Sequence, residues 1–409
     1  MADSDASFTP AQVRTHWTVR HGLGQPVAKR AESVIAKSGW LRTLGGIDAY
    51  LGLRARCPGV TKKAVDQAVA KGRLRVVPAV RGCIYLVTQA QAAPLIALAA
   101  SLARPRTSRD LDKAGATWGE VHETADAIAE VLADGPKTTD EIRAALPKGA
   151  VRSLGPQGKK VGMSSVLPVA LRELEFDGRV QRRLVGDTLD TERYTWARSP
   201  EAEAAEPDIA KVVEMVLEFA GPMTVKELST FVGVPQRAVK EALAEHGAAT
   251  VQVEGWSAPG FIDPAHVASV GGASLEPSWR LLPFHDNLLS MHRGPAPFVA
   301  PEHHDLKVKV WGGRGGPVAL RDANHLGYRP LMYADALVGF WEWDPDEGRV
   351  VVGTLDAPPR GTKRALAEEA ANLSAFIRDD LGHGRAFSLD TDDALRARTQ
   401  WVRALPYSK

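Results

Sequence analysis

Two stretches, Gly135-Pro136-Lys137-Thr138-Thr139-Asp140-Glu141 and Gly221-Pro222-Met223-Thr224-Val225-Lys226-Glu227, carry Gly, Pro, Thr and Glu at the same offsets. Each follows a segment with one apolar helical face: Val121, Ala125, Ile128 and Leu132 in the first copy, Ile209, Val212, Val213 and Val216 in the second. Gly-Pro ends such a helix, because proline has no amide hydrogen and keeps the preceding residue out of the helical region. Thr-x-x-Glu then opens another: hydroxyl and carboxylate each satisfy an amide that the first turn leaves unpaired. A third helix is predicted over 164–177, with Val166, Val169, Ala170 and Leu174 inward, and over 236–245 in the second copy. Hairpins follow, one turning at Gly186-Asp187 and returning through Tyr194 and Trp196, the other turning at Glu254-Gly255. Three helices and a two-stranded wing make the winged form of the helix-turn-helix unit.

Outward from this repeat, the N-terminal segment reads the same way. Thr9-Pro10-Ala11-Gln12 is a further capping box, a helix is expected over 61–71, and strands over 73–77 and 83–87 form a wing. Beyond Gly255 prolines and glycines become frequent and apolar runs alternate, at 279–282, 308–311, 336–343 and 349–355, with a helix predicted over 362–381. The expected architecture is therefore α+β: tandem winged-helix units followed by a C-terminal antiparallel β-barrel-like domain with a terminal helix. The boundaries fall at 1–110, 115–200, 207–263 and 272–409, with the acidic run 201–207 as a linker.

Composition narrows the function classes. Only Cys57 and Cys83 are present, which makes neither a disulfide framework nor a zinc ligand set. No run of about 18 apolar residues occurs, and the polar, acidic N-terminus lacks the features of a signal peptide. A protein of the reducing cytoplasm is expected, without cofactor or metal. The net charge of +2 conceals an asymmetry: residues 1–109 hold 17 Lys and Arg against 5 Asp and Glu. Such a segment points to an anionic partner. A lipid-binding helix would set a strong apolar face beside its charges, whereas here they spread over several short elements, which favours nucleic acid.

In a winged-helix unit the third helix enters the major groove and the wing touches the backbone. The expected contacts are Lys62, Lys63 and Lys71 on the helix, Arg73, Arg75 and Arg81 on the wing, and Arg182 and Arg183 on the second wing. Asp66 is the only acidic residue between Gly52 and Arg109, unlike a mixed-charge solubility surface. The third unit, with Glu241, Glu245 and Glu254, suits phosphates poorly.

Three further segments carry a family resemblance: 46–56, with Leu51-Gly52-Leu53-Arg54-Ala55-Arg56; 80–87, with Val80-Arg81-Gly82-Cys83; and 281–289, with Leu281-Leu282-Pro283-Phe284-His285-Asp286-Asn287. Their order and spacing resemble the AlkZ/YcaQ-like winged-helix DNA glycosylases of bacteria. The resemblance implies a concave channel for double-stranded DNA, occupied by a monomer, and excision of bulky alkylated purines or unhooking of crosslinks. It also implies a water-positioning Gln-x-Gln, or Gln followed by an acidic residue, where this chain has Arg54 and Arg56. A guanidinium has five donors, no acceptor and a pKa above about 12, so it cannot orient water as an amide oxygen does. Both arginines are expected to hold phosphates. Asp286 matches a family position and is the remaining candidate for a chemical role, while Tyr85 stands where the family often has histidine.

His303-His304-Asp305 reads as a solvated loop, and Gly312-Gly313-Arg314-Gly315-Gly316 lacks the strand–helix setting of a nucleotide loop. The first expectation is a duplex-DNA-binding relative of repair glycosylases with weakened or lost hydrolysis. An active glycosylase, with Asp286 in the chemistry, is the second, and a transcriptional regulator the third. The regulator is disfavoured because no helical dimerisation segment accompanies the basic units.

Overall fold

The computed structural model describes residues 3–26, 28–199, 205–292, 294–312 and 315–408. Most of the expected acidic linker, and two residues of the expected glycine loop, lie outside them. The fold is mixed α+β, in three helix–hairpin units and a C-terminal sheet with helices.

The two repeat copies begin their second helices alike. Thr138 N donates to Glu141 at 2.7 Å and Glu141 N to the Thr138 hydroxyl at 3.2 Å, opening the helix Thr139–Ala145. Thr224 N donates to Glu227 at 2.7 Å and Glu227 N to the Thr224 hydroxyl at 3.3 Å, opening Val225–Val232. The third helices are Leu167–Phe176 and Gln236–His246. Val180–Leu184 and Tyr194–Arg198 form the hairpin after the first, Ala249–Val253 and Gly260–Ile262 the hairpin after the second.

The N-terminus corrects the expected first unit. Strand Asp3–Phe8 runs parallel to Ala249–Val253, placing Phe8 opposite Val253. Helix Pro10–Arg20, opened by its Thr9 capping box, buries Val13 and Trp17 beside Val251, Ile262 and Phe298. Trp17 needs a broad apolar surface, which it finds there together with the His292 ring at a centroid distance of 3.8 Å. The first unit proper starts at helix Ala31–Ser38 and continues through Asp48–Arg56 and Lys62–Ala70. Its sheet has Ile84–Thr88 between Leu41–Arg42 and Leu74–Pro78. A 26-residue helix, Gln89–Ala114, then leads across to the second unit.

At the C-terminus the expected barrel is replaced by an open sheet of five strands. Its centre is the hairpin Ala336–Asp344 and Arg349–Thr354, and its edges are the short strands Trp279–Leu281 and Tyr407–Ser408. The edges stay apart because helices cover the sheet instead: Lys363–Ala375, extended by a π turn Phe376–Leu381, and the unanticipated Asp392–Arg403. Among the described residues no helix is long and apolar enough to cross a membrane.

Candidate nucleic-acid interface

Helix Asp48–Arg56 carries the expected motif and is wedged between the first unit and the C-terminal sheet. A methyl group on Gly46, just before it, would overlap the backbone of Ala386 and Phe387. The Asp48 carboxylate accepts from Phe284 N at 2.9 Å and from Arg329 at 3.1 Å. Arg329 also donates to Glu342 and to Gly384 O, and Arg398 joins Glu342 to Asp390. Burial pushes the Asp48 carboxyl up to about 6 against the pull of Arg329. This buried chain of charges fixes the helix on the C-terminal domain.

Arg56 is not at the surface. It is 1% exposed and donates to both oxygens of Asp286, at 2.8 and 2.9 Å, and to Gly52 O at 3.0 Å. Asp286 is buried too, and its Oδ1 also caps the short helix Asn287–Met291 by accepting from Leu288 N at 3.0 Å. Arg56, expected to hold a phosphate, is thus enclosed by the Asp286 carboxylate. Asp286, the remaining candidate for a chemical role, is clasped by both arms of the Arg56 guanidinium in the same contact. Arg54 is half-buried, donates to Pro58 O at 3.0 Å and Asn372 O at 3.3 Å, and lies over the Phe376 ring at 4.6 Å.

The other expected contacts divide into two groups. Lys62 bonds Asp66 at 2.8 Å and the Thr188 hydroxyl at 2.7 Å, tying the first unit's third helix to the second unit's hairpin loop. Arg182 bonds the buried Glu175 at 2.6 Å and lies 5.0 Å over the Tyr194 ring. Both side chains are engaged in contacts within the protein. Arg73 pairs with Glu32 at 3.1 Å, and Arg81 donates to the buried Tyr85 hydroxyl at 3.2 Å. Lys63, Lys71 and Arg183 are exposed, and Arg75 is half-buried. Lys71, Arg75, Arg182 and Arg183 meet at a cleft of about 410 Å³ between the two hairpins, which Glu175 and Asp187 also line.

The cleft thus joins residues a hundred positions apart that composition alone could not pair. The Asp286 carboxylate that occupies Arg56 leaves no local signal, being 230 residues from its partner, whereas Glu175 is 7 residues from Arg182. His303 pairs with Asp356 at 2.6 Å beside Glu302, with both carboxylates exposed.

Known proteins are similar to this chain over most of its length. An interstrand DNA cross-link repair glycosylase of Streptomyces sahachiroi is 23% identical over 336 residues, covering 80% of this chain and 85% of that protein. The structure of Streptomyces sahachiroi DNA glycosylase AlkZ superposes with a TM-score of 0.69 at 19% identity, over 92% of this chain and 97% of that one. The model of the family described as DNA glycosylase AlkZ-like matches residues 46–376, from the glycine that opens the buried motif helix to the turn that closes the C-terminal helix. With that span matched, the chain belongs to the AlkZ-like DNA glycosylase family.

Proposed function

We propose that this protein binds duplex DNA through its basic first and second units and lacks the hydrolytic centre expected at its motif helix. The single observation that carries the second half is the Arg56–Asp286 pair, two charged groups buried against each other where an amide and a free carboxylate would be needed. Breaking the pair to expose Asp286 would strand the arginine's charge away from water, at a cost of about 3–5 kcal/mol. A glycosylase works by directing water at a sugar carbon as positive charge develops there. A guanidinium offers no acceptor, and the carboxylate beside it is already taken up by that guanidinium.

The first half rests on the helix–helix–helix–hairpin units, read as winged helices, and on the exposed cations Lys63, Lys71 and Arg183 with Arg75 beside them. Winged helices present the third helix and the wing to DNA, and these residues lie on those elements. The concave arrangement of such units, working as a monomer on damaged duplex, suits a protein that recognises or shields a lesion. Excision by a different set of residues is the second reading, favoured by the family match itself.

Changing Lys63, Lys71, Arg75 and Arg183 together to Gln is expected to weaken binding to every duplex sequence alike. The slope of log affinity against log salt should fall by up to about 3–4, since each phosphate contact contributes about 0.9. Fluorescence anisotropy over a salt series reads both quantities. An unchanged slope in a folded variant would remove this face from the binding surface.

A further inference from the structure

We propose that the groove between helix Lys363–Ala375 and the open edge of strand Arg349–Thr354 binds a short acidic peptide of a partner protein, taken up in extended form as an added strand of the C-terminal sheet. The groove shares no residue with the basic cleft and does not rest on the DNA-binding reading.

Strand Arg349–Thr354 is paired along its whole length on one side, with Ala336–Asp344. On the other side only Gly353 and Thr354 have strand partners, Ser408 and Tyr407. Residues 349–352 thus have no neighbouring strand there among the described residues. Alternate residues of an antiparallel strand turn both main-chain groups to the same side. Val350 N donates to the Ser374 hydroxyl of the helix at 2.8 Å, so Val350 and Val352 are the two that face the groove. The serine satisfies one amide and leaves the Val350 carbonyl and the Val352 main chain on a side without a strand to pair them. Such an edge is a template for a further strand.

The space beside this edge measures about 850 Å³. Val350, Val352, Leu366 and Ala370 give it an apolar floor, and Ala367 and Ala371 on the helix wall are exposed and small enough to leave it open. From 363 to 374 the helix rises about 17 Å, at about 1.5 Å per residue, which is the length of about five residues of extended chain. A helical segment or an apolar small molecule would cover the floor but leave the strand edge unpaired. An added strand does both, since its main chain answers Val350 and Val352 while alternate side chains meet the floor.

Charge sets the class of peptide. Arg349, Lys363 and Arg378 line the groove, and no carboxylate does. Arg349 pairs with Glu347 and Arg378 with Asp379, all four exposed. Solvated pairs of this kind contribute little and yield to a competing carboxylate. Lys363 is exposed and has no ion pair among the described residues. Tyr407 adds an aromatic rim, 50% exposed, for an apolar side chain of the incoming segment. Acidic residues flanking an apolar stretch therefore match both the rim charges and the floor.

The test uses the full chain and three fluorescein-labelled peptides, read by anisotropy. The first alternates valine and threonine between terminal aspartates, the second carries lysines in place of the aspartates, and the third sets the same aspartates on an alanine-rich helical sequence. The first is expected to bind saturably and at least tenfold more tightly than either of the others. Ala367→Trp fills the groove from an exposed position and should lower that affinity tenfold or more, with duplex binding unchanged. Lys363→Glu with Arg378→Glu should reverse the preference between the aspartate and lysine peptides, and it keeps the test open if the tryptophan variant fails to fold. Absence of saturable binding by the first peptide would overturn the proposal. Unchanged affinity in folded Ala367→Trp would do so by placing the peptide elsewhere, and an unchanged preference in the charge-reversed chain would do the same. Tighter binding of the helical peptide would overturn the added strand.

Discussion

Acidification from pH 6 to pH 5 is expected to lower stability by about 4 kcal/mol. Four histidines are held far below their ordinary value by burial first, His16 at about 4, His285 at about 2, and His21 and His292 well below 6.5, and His325 is lowered in the same sense. Arg20 adds to the effect at His16, Arg56 and Arg20 at His21, and His21 at His292. The His21 and His292 rings share one hydrogen bond at 3.2 Å between their Nε2 atoms, so one must donate and the other accept, which two imidazolium rings cannot do. Below about 6.5 the unfolded chain binds protons that the folded chain refuses. Stability from these groups is therefore complete above that value and is lost as the pH falls toward their folded values. Asp48 acts in the opposite sense: raised to about 6, it regains stability as the pH falls from there to its unfolded value. Four protons less one leaves about three, at about 1.4 kcal/mol per pH unit each. Urea unfolding at pH 7.5, 6.0 and 5.0 reads the slope, and a flat profile would show that the histidines are protonated in the native state.

Truncation of Arg56 gives the second large effect. Arg56→Ala leaves the Asp286 carboxylate buried without its partner, and the expected loss is about 3–5 kcal/mol. Replacing both residues, Arg56→Met with Asp286→Leu, removes the stranded charge and should recover most of that loss, since apolar pairs of similar volume substitute well for buried ion pairs. The midpoint of urea unfolding at pH 7.5 compares the three. A loss under about 1 kcal/mol for Arg56→Ala would mean that water reaches the pair, and the enclosure on which the functional reading depends would be wrong.

The two effects concern contacts of different legibility. Helix starts are local, so the Thr138 and Thr224 capping boxes can be read from a four-residue window, and the structure builds both as the spacing predicts. Hairpins with nearby turns are equally local, as at 336–344 and 349–354. Pairing across the chain is not. Strand Asp3–Phe8 joins a strand near residue 250 because Val13 and Trp17 need the surface there, and no short-range pattern signals it. The open edge of the C-terminal sheet escapes for a related reason: alternating apolar runs identify strands without saying whether the first meets the last.

Site residues show the same division. The basic character of the first hundred residues is a property of composition, and Lys63, Lys71 and Arg73 are exposed as it suggests. Arg54 and Arg56 look alike in sequence, yet one is half-exposed against Phe376 and the other is enclosed by Asp286. What separates them is helix phase: two residues apart places them about 200° around the axis, so only one can face the C-terminal domain. Arg42 carries no motif, and only the structure shows it sharing the Trp311 ring with His285 of the 281–289 segment.

The most direct measurement is single-turnover release of an alkylated purine from a duplex, with protein in excess and duplex binding confirmed by anisotropy in the same buffer. With the Arg56–Asp286 pair closed, we expect the wild type to bind the duplex and to release base no faster than the protein-free control over many hours. Release clearly above that control, at a concentration where the duplex is saturated, would contradict the account: this chain would then be an active glycosylase whose chemistry does not use the motif positions as argued.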